Sequence, residues 1–532
     1  MDLLTPVQSA GASRRTVLRA AGAGSALLAL SACRAAVDAG AAPGGSTQSA
    51  GSSAPRRGGT LALASPTDFT PSLLFAQSAM SLPQRLVYNT LTRYDDQLRP
   101  QPELATEWQV ASDGRAVTLK LREDVVFHNG RPFTADDVVF AVKNLQNPLR
   151  AAQLRSTSLT VAGFEKKGDH EIVLKLAHPV SNLFDLFEFM IISDRDSVED
   201  ALAGKRFIGT GPFTFEEWNP GSRLRFARND RYWRPGRPYL DGVDLRIVPQ
   251  SDTLLSSLRT GQTQLTYGLA GKDAATLKDN PRFRVKQYAT GSGAVYLGVN
   301  VTADPVRNKL VRQALAWAVD RDRIVEQALG GYGLPSAAPW PTSSPAYTEA
   351  NARHYTHDPA KARELLKSAG ATSLDLPLLF ATTPGGAQVA QMVQYDLQQV
   401  GVRTTLQPTD PATGQKRLIS QSMPALWTMS HGFAQVHPST LAVSAYPFNE
   451  AKNTSKFHSA EYTEAVQRAW RRTDADSAEA RAAYQRISDI LLDEAFIVDL
   501  AVLASLEVSG TAVQGVTLNK FSYLNLDDAH LV

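Results

Sequence analysis

Leu121-Arg122-Glu123-Asp124-Val125-Val126-Phe127-His128-Asn129-Gly130-Arg131-Pro132-Phe133-Thr134-Ala135-Asp136-Asp137-Val138 is the stretch on which the fold is read. Just before it, Val117-Thr118-Leu119-Lys120-Leu121 alternates apolar with polar residues, the period of a half-buried strand. Gly130 suits a turn, because without a Cβ it enters backbone conformations closed to other residues. Thr134 then predicts a helix from Ala135 to about Asn144. Its hydroxyl can cap the first turn, and Asp137 sets a carboxylate beside free amides. Strand, turn and capped helix in direct succession argue α/β or α+β layers and exclude a helical bundle or an all-β protein.

Working outward, Ile172-Val173-Leu174-Lys175-Leu176 and Val243-Asp244-Leu245-Arg246-Ile247 repeat the strand period. Asp304 followed by Pro305 predicts a helix through Trp317, since proline presets φ for a first turn. Asp358-Pro359 predicts another that stops at Gly370. Asp476 with Glu479 predicts a capping box for a helix to about Glu494, with Tyr484, Ile487 and Leu491 on one face. No internal repeat is present.

The 532 residues are 43% hydrophobic and 20% charged, a globular composition. At roughly 100 to 200 residues per domain, the length suits about three folding units or a discontinuous two-lobed body. Lys+Arg 55 against Asp+Glu 52 leaves a formal net charge of +3, which gives no basic excess for a nucleic-acid partner. The single cysteine, Cys33, excludes an intramolecular disulfide framework and a zinc site of paired thiolates.

Arg14 and Arg15 precede an Ala- and Gly-rich apolar run, Ala20 to Ala32, of 13 residues. A spanning helix needs roughly 20. Paired arginines ahead of a weakly apolar run resemble a twin-arginine export signal, although Val17 stands where that pattern prefers Phe. Leu30-Ser31-Ala32-Cys33 resembles a bacterial lipobox, which would make Cys33 the lipid-bearing first residue of the mature chain. Residues 34–57 are crowded with Ala, Gly, Ser and Pro and are expected to form a flexible tether. No later stretch approaches 18 uncharged apolar residues.

Catalytic constellations are missing: no G-x-x-x-x-G-K-[ST] phosphate loop, no G-x-S-x-G elbow and no G-x-G-x-x-G after a strand. His354 and His357 precede a helix without an acidic or thiolate partner and make no metal site. Neither an enzyme nor a cofactor is expected.

Several further runs join the opening stretch: Val87-Tyr88-Asn89-Thr90-Leu91-Thr92, Leu98-Arg99-Pro100 through Glu107-Trp108, Gly209-Thr210-Gly211-Pro212-Phe213, Arg228-Asn229-Asp230-Arg231-Tyr232-Trp233, Leu258-Arg259-Thr260-Gly261-Gln262 and Val311-Arg312-Gln313-Ala314-Leu315. Together they resemble the peptide/nickel class of extracellular solute-binding proteins, family 5, from Gly58 to the C-terminus and most weakly after about 405. The resemblance implies an α/β, two-lobed cluster C periplasmic-binding-protein fold with a hinge and an interlobe cleft. It implies lobe I at 58–304 plus 508–532, with an extra subdomain at about 86–230, and lobe II at 305–507. Most signature residues read as scaffold: Gly130, Gly211 and Gly261 for turns, Trp108 and Trp233 for packing.

The ligand-lining candidates are Met80, Tyr296, Asn300, Trp427, Met429, His431 and Phe433, the last four alternating as one face of a strand. The same alternation would serve a plain core face. The implied function is to bind a peptide-like or other small polar organic solute by lobe closure. As a monomer, the protein would deliver it to a membrane ABC permease with separate ATPase subunits. Alternatives are a nickel or metal-chelate carrier with His431 and His437 beside the pocket, a periplasmic hydrolase, or a sensor. No Asp or Glu occurs between Asp410 and Glu450, where peptide-binding members place the counter-ion for a peptide's α-ammonium, so that contact is expected to be missing.

Overall fold

The structure, a computed structural model, describes residues 55–76, 82–95, 97–432, 437–475, 477–518 and 523–532. Arg14, Arg15, Cys33, Met80, Phe433 and Asp476 lie outside the described residues. The principal elements begin with strands β1 (Thr60–Ser65), β2 (Ala105–Val110) and β3 (Ala116–Leu121). Helix α1 (Ala135–Gln146), strands β4 (Val161–Lys166) and β5 (Glu171–Leu176) and helix α2 (Leu183–Phe189) follow. Strands β6 (Phe213–Asn219), β7 (Arg223–Arg228), β8 (Gly242–Ile247) and β9 (Leu265–Thr266) lead into the 17-residue β10 (Phe283–Val299). Next come α3 (Lys309–Ala318), α4 (Pro359–Ser368), β11 (Leu374–Ala381), α5 (Gly386–Gln399), β12 (Val402–Thr409), α6 (Pro411–Ile419) and β13 (Leu426–His431). The last are α7 (Pro438–Ser444), α8 (Ala460–Trp470), α9 (Ala478–Glu494) and the 14-residue β14 (Ile497–Gly510).

Among the described residues an 11-stranded sheet runs in the order β12-β11-β13-β10-β14-β9-β1-β8-β7-β6, with Gly333–Pro335 paired to β14 off that path. A separate 4-stranded sheet has the order β2-β3-β5-β4. Parallel pairing occurs toward both ends of the large sheet, β1 with β8 and β9, and β11 with β12 and β13, while β8, β7 and β6 pair antiparallel at one edge. The two long strands connect those ends. Val285 lies opposite Val508 where β14 also meets β9, and Leu297 lies opposite Val498 where β10 also meets β13. Register shifts between Gln287 and Gly293 interrupt the β10–β14 ladder midway, as bulges that bend a sheet do. The fold is α/β and two-lobed.

Each face of the β13 half has its own packing. Leu297, Leu378, Leu426 and Leu500 are buried with Val311 and Leu315 of α3, Leu366 of α4 and Val393 and Leu397 of α5. The opposite face presents Tyr296, Trp427 and Ile497 to Phe448, Tyr462 and Phe496, in a core that continues into residues of the first half such as Leu186, Phe187 and Val243. Alternation along a strand produces this division, because successive side chains leave by opposite faces.

The helix read from Thr134 is present as α1, and the Asp137 side chain accepts from the Thr134 amide at 2.9 Å. Asp358 caps α4 through the Lys361 amide at 2.9 Å. The helix expected from Asp304 instead begins at Lys309, because Asn308 is the side chain that reaches a first-turn amide, that of Leu310 at 3.0 Å. Ser477, one residue past Asp476, caps α9 at the Ala480 amide, 3.0 Å away. Gly211 serves close approach, not a turn: a Cβ there would come within 2.5 Å of the Val87 carbonyl carbon.

Candidate functional site

Three parallel strands of the second half and one of the first end on the same space. The chain leaves β1 through Thr67, β11 through Thr383 to Gly386 at the start of α5, and β12 through Pro411 at the start of α6; near the end of β13 lie Thr428 to Ser430. These segments enclose a cavity of about 300 Å³. In parallel α/β sheets the crevice outside the carboxyl ends of the strands is where ligands bind.

The lining is uncharged and mixes polar with apolar side chains. Thr67, Thr383, Gln415, Thr428 and Ser430 alternate with Val295, Leu329, Val389 and Leu503, and no described lining residue is ionisable. Thr428 is 4% exposed, and its Oγ1 has no hydrogen-bond partner. The two carboxylates next to the lining in the chain are engaged elsewhere. Asp68 accepts from the amides of Phe69 and Gly221, both at 2.7 Å, and from Trp218 Nε1 at 3.1 Å. Asp410 caps α6 at the Thr413 amide, 2.9 Å away.

Of the residues expected to line the site, Met429 borders this cavity and reaches toward α6, where a Cβ on Gly414 would meet its Cε at 3.1 Å. Tyr296, Trp427 and His431 turn to the opposite core. Trp427 is 0% exposed, and Tyr296 and His431 both set their rings edge-on to Phe448, at 6.1 and 6.4 Å. Burial pushes the His431 imidazolium pKa down to about 3, so the ring is neutral. Asn300 folds its side chain into a turn, accepting from the Thr302 amide at 3.2 Å and hydroxyl at 2.7 Å. The Tyr296 hydroxyl and the Trp427 indole nitrogen share that face with the carboxyl of Asp499, which burial raises well above the ordinary range. Thr67, Thr383, Gln415, Thr428 and Ser430 were not anticipated. The readable signal was the strand–Gly-Gly–helix passage at Ala381–Gly386, which opens a helix at a strand end.

A second cavity of about 210 Å³ lies where α2 meets the cap of α7, lined by Tyr94, Asp185, Ser343 and His437 among others. Asp185, 1% exposed, accepts from the Tyr94 hydroxyl at 2.8 Å, from the Thr440 hydroxyl and from the His437 amide. Burial nonetheless raises its pKa to about 7. His437 caps α7, and its Nε2 is 3.1 Å from the Tyr484 hydroxyl; burial lowers its pKa to about 4. His431 and His437 therefore serve two different environments. Among the described residues no three His, Cys, Asp or Glu side chains gather as metal ligands would.

A two-lobed α/β body with a cavity at the strand ends defines a solute-binding receptor. The chain belongs to the bacterial extracellular solute-binding proteins, family 5, whose model it matches over residues 99–452. It is a binding protein of that extracytoplasmic family and not an enzyme. The chain is 28% identical over 378 residues to di/tripeptide-binding protein 2 of Pseudomonas aeruginosa, covering 64% of this chain and 70% of that protein. It is 28% identical over 401 residues to the oligopeptide-binding protein AppA of Bacillus subtilis, covering 70% and 72%. The solved complex of AgaA with agropinic acid, from Agrobacterium tumefaciens R10, matches at TM-score 0.80 and 22% identity over 89% of this chain and 99% of that one. No helix among the described residues is long and apolar enough to cross a membrane.

Proposed function

We propose that this receptor captures a peptide-like or other small polar organic solute in the cavity at the strand ends and hands it to the permease of an ABC importer. The observation that carries the proposal is the meeting of strand ends from both halves of the sheet around one uncharged cavity with hydroxyl and amide groups in its wall. Relatives named for di- and tripeptides and for oligopeptides support the class of solute. On this reading lobe I is 58–304 with 508–532 and lobe II is 305–507, and the hinge lies at the two crossings between them, near 300–305 and 505–509. The body works as a monomer beside the membrane, exported through Arg14 and Arg15 and held by lipid on Cys33. The test is mass spectrometry of the protein isolated from its native host under non-denaturing conditions. Release of a stoichiometric small polar organic molecule on unfolding is the expected result. Consistent recovery of a bare metal ion alone would overturn it.

A further inference from the structure

We infer that the solute held in the strand-end cavity is an uncharged molecule, bearing a hydroxyl or amide group that hydrogen-bonds to Thr428 Oγ1. The inference deepens the receptor reading and rests on that cavity being the solute site.

The first observation is the hydroxyl itself. A hydroxyl 4% exposed and without a partner is unfavourable to bury, and Thr428 borders a space large enough for a ligand group. A solute oxygen or N–H placed there supplies the missing bond. The second is the wall. Thr67, Thr383, Gln415 and Ser430 are neutral donors and acceptors, matched to hydroxyl and amide groups and able to compensate an ionised group only weakly once water is displaced. The third is that the acidic and imidazole groups nearest the lining are committed, Asp68 to Trp218 and two amides, Asp410 to the cap of α6, and His431 neutral on the other face of β13, while Lys416, next to Gln415 on α6, is exposed to water. A free peptide terminus in this cavity would lose its hydration without gaining a counter-ion.

On this inference a neutral solute takes the place of the metal chelate that His431 and His437 suggest in the sequence.

The experiment uses the full exported protein and one extract of spent growth medium, divided into three fractions. Amines, including every free peptide, are retained on a cation exchanger at acidic pH; acids are retained on an anion exchanger at alkaline pH; uncharged molecules pass both. Thermal unfolding is followed with each fraction. The uncharged fraction alone should raise Tm. Thr428→Val, which removes the hydroxyl at nearly constant shape, should weaken affinity for the active component by about tenfold, and Thr428→Ser should restore it. N-acetyl peptide amides and neutral oligosaccharides, titrated separately, then distinguish amide from hydroxyl chemistry. Stabilisation by the amine or acid fraction, with none from the uncharged one, overturns the inference and leaves the receptor reading standing. An uncharged ligand bound equally by Thr428→Val overturns the role of that hydroxyl. No stabilisation by any fraction counts against the receptor reading and removes the inference with it.

Discussion

Trp427 and Gly298 face each other on adjacent strands, and the indole occupies the space a side chain at 298 would need: a Cβ there would lie 2.1 Å from its Cε2. Trp427 therefore belongs to the packing that joins β10 to β13. Trp427→Ala is expected to cost about 3–5 kcal/mol through the cavity it leaves, read as a lower midpoint in urea unfolding. A loss below about 1 kcal/mol, accompanied by weaker solute binding, would return Trp427 to the binding surface. Periodicity groups 427, 429, 431 and 433 on one face of a strand, of which 427, 429 and 431 lie in β13, with Met429 at the cavity and Trp427 and His431 in the core. It could not tell which face meets solute, because that depends on what the other layers cover. Thr428 and Ser430, of the other parity, border the cavity together with Met429.

Helix α2 shows how an element can couple burial to pH. Its Asp185 and Glu188 are both essentially inaccessible, and burial raises each carboxyl to about 7. Glu188 faces Arg85 at 2.5 Å and accepts from the Tyr94 amide at 2.7 Å, with Glu103 and Arg93 beyond; Asp185 faces Tyr94, Thr440 and His437. A carboxyl whose native pKa lies above its unfolded value keeps a proton the unfolded chain has released. The stabilisation is therefore complete below the ordinary carboxylate range, about 4, and is lost as pH rises to about 7. Tm should fall between about pH 5 and pH 8, and Asp185→Asn should flatten part of that fall while keeping an acceptor for Tyr94. An unaltered slope in Asp185→Asn would show that Asp185 is already ionised in the folded protein. None of this is legible in Leu183-Phe184-Asp185-Leu186-Phe187-Glu188-Phe189, which reads as an amphipathic helix with two surface acids. The partners of Asp185 come from residues far along the chain, Thr440 being 255 positions away.

At the scale of the molecule, polar contacts join the two halves away from the shared strands. Asn182 donates to Thr440 at 2.9 Å and accepts from Trp470 Nε1 at 2.7 Å, and Ser181 bonds Ser439 at 3.1 Å. On the proposed lobe closure such contacts would form as the lobes meet. Small-angle scattering is expected to give a smaller radius of gyration with the active medium fraction than without it, and Asn182→Ala should reduce that contraction. Superimposable curves would argue that the lobes do not move. Cys33→Ala should release the body from washed membranes; its retention at the parent level would remove the lipid anchor from the account.

The α/β class, the capped helices at Thr134 and Asp358 and the period of the strands were available from sequence because each depends on neighbours a few residues apart. The signature from Val87 to Val138 carried the family for the same reason: turns, caps and close approaches impose residue types locally. Tertiary structure decided where the chemistry sits. Only the register of β10 against both β13 and β14 brings the ends of β1, β11 and β12 to one cavity, leaves the Thr428 hydroxyl beside it and turns Trp427 away. Pairings between residues hundreds of positions apart are set by how layers pack, which no local pattern encodes.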